Sequence, residues 1–267
     1  MTQLKVKELK IFRDQMNRDV PLSQCPQRIV SLVPSISELL FDLGLEERVV
    51  GITKFCIHPS QWIKTKTIVG GTKTLKTEVI SALAPDLIIG AKEENEQNQI
   101  EPLMKMSPLY IADVKTIHDA LDLIRSLGAI CGVTELSQPL SVAVERHLLS
   151  IQHKTKGRVA YLIWNRPLMC AGAGTYIHSV LTWMGYENVL SLNTDSRYPE
   201  MTVEALRALY PDIIFLSSEP YPFCEKQKVE FQAFFPQADI RCVDGEMFSW
   251  YGSRMLRIQI PDEHVSL

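Results

Sequence analysis

Along this chain the hydrophobic positions switch repeatedly between two periods. Arg28-Ile29-Val30-Ser31-Leu32-Val33 is a short apolar run of the kind a strand buried on both faces requires. Pro34 and Ser35 end it, and a helical period follows from Ile36 to Leu43, up to Gly44. Ser35 fits an N-cap with Glu38 closing a capping box, and Gly44 fits a C-cap. Val49 to Thr53 is the next apolar strand. The same switching predicts a helix at 77–84, a strand at 86–90, a helix at 95–106, a strand at 109–112 and a helix at 116–131. The second half restarts with a strand at 158–163. It continues with helices near 175–184 and at 202–209, a strand at 212–216, a helix at 225–234 and a strand at 239–243. Strands alternating with helices predict parallel sheet built by crossovers. Ahead of them, Val6 to Phe12 alternates, Asp14 to Asn17 turns, and Asp19 to Leu22 returns as a hairpin.

Residues 134–155 break the alternation. Leu136, Leu140, Val144, Leu148 and Ile151 recur at helical spacing with no glycine between them. At roughly 1.5 Å per residue this is a helix of about 30 Å. On either side of it one motif is written twice. Thr77-Glu78-Val79-Ile80-Ser81-Ala82-Leu83-Ala84-Pro85-Asp86-Leu87-Ile88-Ile89 matches Val203-Glu204-Ala205-Leu206-Arg207-Ala208-Leu209-Tyr210-Pro211-Asp212-Ile213-Ile214 when the Pro-Asp pairs are aligned. Glu78 then falls on Glu204, and Leu87 on Ile213. The expectation is an α/β protein of two Rossmann-like lobes with central parallel sheets, 1–133 and 157–267, joined by a single long backbone helix at 134–156. A gap between like lobes is a usual place for a small ligand.

Composition narrows the function classes. A net charge of −3 supplies no basic field, so nucleic acid is not an expected partner. No apolar run approaches the roughly 20 residues needed to span a bilayer. Met1 to Asn17 alternates charges with single hydrophobes and lacks the apolar core of a secretory signal, which places the chain in the cytoplasm if Met1 is the native start. The six cysteines (25, 56, 131, 170, 224 and 242) form no Cys-x-x-Cys pair and are expected as buried free thiols. No nucleophile elbow, Walker A loop or dinucleotide fingerprint is present.

The run Pro26-Gln27-Arg28-Ile29-Val30-Ser31-Leu32-Val33-Pro34-Ser35 with Glu38-Leu39, then Val50-Gly51-Ile52-Thr53, Val69-Gly70-Gly71 and the two Pro-Asp units, resembles one known group. It is similar to the helical-backbone (class III) substrate-binding proteins of ABC importers, in particular the vitamin B12-binding and ferric-siderophore-binding proteins. The resemblance implies a periplasmic, monomeric protein with no chemistry of its own. Its ligand would be a metal chelate, a cobalamin or other corrinoid, haem, or a ferric siderophore, with no intrinsic cofactor. It also implies that Glu78 and Glu204 dock onto arginines of the permease. Exposed carboxylates one per lobe suit a two-fold partner, although an ordinary acidic first turn has the same pattern. Two other readings stay open: a cytoplasmic corrinoid or metal-chelate carrier or sensor, and a tetrapyrrole chelatase, for which His58 with Glu93 or Glu94 would be the acid-base pair.

In parallel sheets ligands sit beyond the carboxyl ends of the strands. That rule selects Pro34, Ser35, Lys54, Phe55, His58, Thr72, Lys73, Glu93, Glu94 and Asn95 in the first half. In the second it selects Trp164, Arg166, Tyr198, Glu219, Tyr221, Phe248, Trp250 and Tyr251. The aromatics offer a broad apolar wall with few rotamers to freeze, suited to flat macrocycles; about half are expected to pack the lobe edges instead. Lys54, Lys73 and Arg166 would favour an anionic chelate. Cys56-x-His58 and Glu93-Glu94 are candidate donors for a bare metal, but the six histidines are scattered and no protein-ligated metal is assigned.

Overall fold

The computed structural model describes residues 9–151, 156–192 and 196–261. The chain divides into two compact units. Unit 1 takes the residues through Val114, His118–Val144 and Tyr251–Arg254; unit 2 takes Lys115–Ile117, Glu145–Trp250 and the residues from Met255 onward. The helix Thr134–Ser150 thus contributes residues to both. Residues 152–155 of the predicted helix, and Val6 to Glu8 of the hairpin, lie outside the described residues.

Unit 1 is built on a five-stranded parallel sheet in the order Thr67–Ile68, Val49–Ile52, Ile29–Ser31, Leu87–Ala91, Leu109–Ala112. The strand Ile29–Ser31 is wholly buried, as its unbroken apolar run demands. Val30, Leu32, Ile80, Ile88, Ile100 and Leu103 pack as one core on this sheet. Chain direction across the sheet reverses between Ile29–Ser31 and Leu87–Ala91, so the topological switch point lies beyond their carboxyl ends.

Unit 2 carries a six-stranded sheet. Gly157–Trp164 is flanked in parallel by Tyr186–Asn188 and by Ile213–Ser217, which in turn pairs with Asp239–Val243. The sheet is mixed: Leu168–Cys170 and Glu200–Met201 add an antiparallel edge. The sequence pattern missed these two strands because three and two residues are too short to show a period. The switch point here lies between Gly157–Trp164 and Ile213–Ser217.

The duplicated motif has a physical reason. In unit 1 the Asp86 carboxylate accepts the backbone N–H groups of Gln27 and Arg28, both at 2.8 Å, at the start of the first core strand. Ala84, before Pro85, stands at φ +42°, and the Leu83 carbonyl accepts from the Arg28 guanidinium at 2.7 and 2.9 Å. In unit 2 the Asp212 carboxylate accepts the Arg158 N–H at 2.8 Å; Tyr210, before Pro211, stands at φ +49°, and its carbonyl accepts from Arg158 at 3.3 Å. Each aspartate therefore fixes which residue of the first strand faces which of the next, Ile29 to Leu87 and Val159 to Ile213.

The first helix corrects one expectation. It runs Pro34–Asp42 with Pro34 in its first turn and Val33 as N-cap, and no side chain caps it. Ser35 is buried, and Glu38 forms no capping box. Its carboxylate instead makes a buried bidentate pair with Arg254, at 2.7 and 2.9 Å. The helix ends as expected at Gly44 (φ +70°), where the Gly44 and Leu45 N–H groups reach back to Phe41 and Leu40. The hairpin pairs Lys10–Arg13 with Asp19–Leu22, and buried Asp14 holds it to the sheet by accepting the Ile111 N–H at 3.2 Å.

Asp86→Ala is expected to cost about 1–2 kcal/mol, and Asp212→Ala, which loses one backbone bond, about 1 kcal/mol. Urea unfolding of the two variants measures this; equal stability to wild type would mean that the strand starts hold without the carboxylates.

Candidate functional site

In unit 1 the loops beyond the strands are largely self-satisfied. Asn95 is buried: its Oδ1 accepts the Ala91 N–H at 2.9 Å, and its amide donates to the Thr72 carbonyl at 2.9 Å and, more weakly, to that of Leu32 at 3.5 Å. The amide ties three loops together at the switch point and has little left for a ligand, a correction to its assignment as a contact residue. Ser35 and Thr72 are buried as well, whereas Pro34 is half-buried. What remains open is a patch of Phe55, 48% exposed, with the Lys54 ammonium 4.9 Å from its ring centre. Lys73 and Glu93 are exposed, and His58 and Glu94 half-buried. Cys56 is buried in hydrogen-bond contact with the Ser37 and Thr53 hydroxyls, and burial raises its thiol pKa. Among the described residues no three His, Cys, Asp or Glu converge as a metal site.

Unit 2 presents a different edge. The strand Gly157–Trp164 delivers Trp164 to the switch point, 38% exposed. Its indole N–H donates to the Arg166 carbonyl at 3.1 Å, and its ring meets Tyr221 edge-on at 5.7 Å. Tyr221 follows Ile213–Ser217 and packs at 4.7 Å on buried Phe223. Arg166 reaches out to Glu230 at 4.0 Å, with its side chain 85% exposed. Tyr198 is half-buried, with the Arg197 guanidinium 6.0 Å from its ring.

The remaining aromatics are not part of this open wall. Phe248 lies in the short helix Gly245–Ser249, fully buried against Tyr161 and Phe215, with ring centres 5.1 and 5.7 Å apart. It packs the core and offers no surface, which corrects its assignment as a ligand contact. Trp250 is mostly buried and donates its indole N–H to Glu219 at 2.9 Å. Tyr251 is also buried and belongs to unit 1.

Glu219 is the group at this edge whose setting was least visible in sequence. Its Oε1 accepts the Ser249 hydroxyl and the Trp250 indole N–H, both at 2.9 Å. Its backbone is held too: the Tyr161 hydroxyl donates to Ser217, whose Oγ donates to the Glu219 carbonyl at 2.6 Å. Gly245 makes room, since a Cβ there would meet the Glu219 side chain at 2.4 Å. Burial chiefly raises the Glu219 pKa, and Glu246 and Asp244 add to the rise. Ser217 ends a strand and Ser249 ends a short helix, and a serine at the end of an element gives no signal in sequence of what its hydroxyl will hold. Glu78 and Glu204 are each exposed in the first turn of a short helix, Thr77–Ala82 and Val203–Arg207.

Residues 29–240 match the model of a family described as periplasmic binding protein. The chain belongs to the periplasmic binding protein family. A vitamin B12-binding protein of Pectobacterium carotovorum subsp. carotovorum (strain PC1) is 25% identical over 241 residues, covering 86% of this chain and 85% of that one. Among solved structures, the periplasmic catecholate-siderophore-binding protein VctP of Vibrio cholerae superposes with TM-score 0.78 at 16% identity, covering 94% of this chain and 97% of that one. The periplasmic haem-binding protein HutB of Vibrio cholerae superposes with TM-score 0.74 at 20% identity, covering 87% and 95%. At such identities the structural matches establish the shared α/β fold. This periplasmic binding protein therefore carries the family fold, with an open aromatic edge on unit 2.

The raised Glu219 pKa gives a sign. Its protonated form is favoured in the fold, a contribution present below the ordinary glutamate range and lost as pH rises through the raised value. Glu219→Gln keeps an acceptor for Ser249 and Trp250 and removes the half-buried charge. Thermal melts should show the variant gaining stability over wild type as pH rises from about 4 to about 8; a pH-independent difference would contradict this.

Proposed function

We propose that this protein is the binding component of an ABC importer, that it captures a metal chelate (corrinoid, haem or ferric siderophore) and that it releases the chelate unchanged. The observation that carries the reading is the Trp164–Tyr221 edge-to-face pair at the unit 2 switch point: an exposed indole braced by a half-buried tyrosine, in the place where parallel-sheet folds take ligands. The relatives support it, since their names give vitamin B12, haem and catecholate siderophores as what they bind. Arg166 is the further contact expected from its exposure. A periplasmic setting follows from the family. The chelate brings its own metal, so the protein supplies shape, aromatic faces and hydrogen bonds and moves no proton or electron. Glu78 and Glu204 serve as the docking carboxylates, each exposed in the acidic first turn of a short helix.

Titration of the purified protein with cyanocobalamin, haem and ferric catechol chelates, read by tryptophan quenching and absorbance, is expected to give one saturating complex. Trp164→Ala should weaken it about tenfold, the loss of one aromatic stacking face. Binding of none of these chelates, or metal insertion into free porphyrin, would overturn the reading. Reversing both Glu78 and Glu204 to Arg should abolish association with the cognate permease and leave chelate affinity within about twofold; unchanged docking would remove those two residues from the role.

A further inference from the structure

Glu219 is half-buried, and taking a carboxylate even partly out of water costs free energy unless its oxygens are paired or hydrogen-bonded. Here Oε1 takes both donors, Ser249 and Trp250. Oε2 has no hydrogen-bond partner among the described residues. The charges that act most on the group, Glu246 and Asp244, are themselves acidic. The carboxylate is nevertheless held firmly, from its backbone through Ser217 and Tyr161 and from its side chain through the helix Gly245–Ser249. It follows the same strand, Ile213–Ser217, that supplies Tyr221 to the aromatic wall. An immobilised acceptor with one open oxygen, on the loop that also carries the Tyr221 ring, is the arrangement of a specificity contact.

We propose that Oε2 of Glu219 is a selectivity element that accepts an N–H donor from the ligand's rim, so that the preferred chelate carries neutral amide side chains, as corrinoids do, and not carboxylates at this position, as haem does. This deepens the proposed function and rests on it. Two physical terms point the same way. A ligand amide completes the open acceptor and repays part of the desolvation of Glu219. A ligand carboxylate at Oε2 would set like charges together, beside a group on which Glu246 and Asp244 already act.

The substitution Glu219→Gln makes the claim sharp. The carboxamide must keep its oxygen where Ser249 and Trp250 donate, so its NH2 takes the position of Oε2. An acceptor facing the ligand becomes a donor, with the fold's own hydrogen bonds kept. The experiment measures dissociation constants of cyanocobalamin and of its monocarboxylate derivatives, in which one side-chain amide is hydrolysed, for wild type, Glu219→Gln and Glu219→Ala at about pH 8. Wild type is expected to favour the amide form over at least one monocarboxylate isomer by about tenfold or more, Glu219→Ala to lose that preference, and Glu219→Gln to reverse it. Equal affinities in wild type, or a preference untouched by both substitutions, would overturn the selectivity role while leaving chelate binding intact. Failure of every protein to bind any of these corrinoids while haem or a ferric catecholate binds would also overturn it, and failure with all chelates would overturn the proposed function itself.

Discussion

Two aspartate carboxylates set the frame on which everything else rests. Asp86 and Asp212 grip the backbone at the start of the first strand of their units, and each thereby fixes the register of the central parallel pair. A parallel pair slipped by one residue would turn its core face outward. With the register held at the amino ends, the carboxyl ends of Ile29–Ser31 and Leu87–Ala91, and of Gly157–Trp164 and Ile213–Ser217, are fixed as well. The switch points are therefore defined by interactions at the opposite end of the same strands.

The two switch points are furnished differently. Unit 1 fills its own with the Asn95 amide, which uses its donors and acceptor on three backbone segments, and keeps Phe55 and Lys54 as an outlying patch. Unit 2 leaves Trp164 and Tyr221 open and places a fixed carboxylate beside them. The like architecture comes from the repeated motif. The unlike chemistry comes from loops that follow the strands, where backbone constraint is least and side-chain choice is free.

Most of the framework could be read from the chain. The helix Glu225–Phe234 and the strand Asp239–Val243 have the bounds their periods predicted, because period and turn residues agree there. The matching Pro-Asp motifs announced the duplication, though not that each aspartate reaches back more than fifty residues to an arginine's backbone. What stayed hidden depended on partners distant in sequence. Glu38 read as a capping residue because its ion-pair partner, Arg254, lies 216 residues away. Phe248 and Trp250 looked alike as loop aromatics, yet two residues of separation across a short helix sent one into the core and the other onto Glu219. Asn95 looked like a polar ligand contact because sequence does not show which carbonyls a side chain will meet.

The central claim is that the chelate sits on the carboxyl-end loops of the unit 2 sheet, against Trp164 and Tyr221. Amide hydrogen exchange of the protein with and without a bound chelate tests this directly. The account predicts slowed exchange confined to the loops following the unit 2 strands, above all residues 164–168 and 218–224. Protection centred instead on the amino ends, around Arg28 with Asp86 or Arg158 with Asp212, would contradict it.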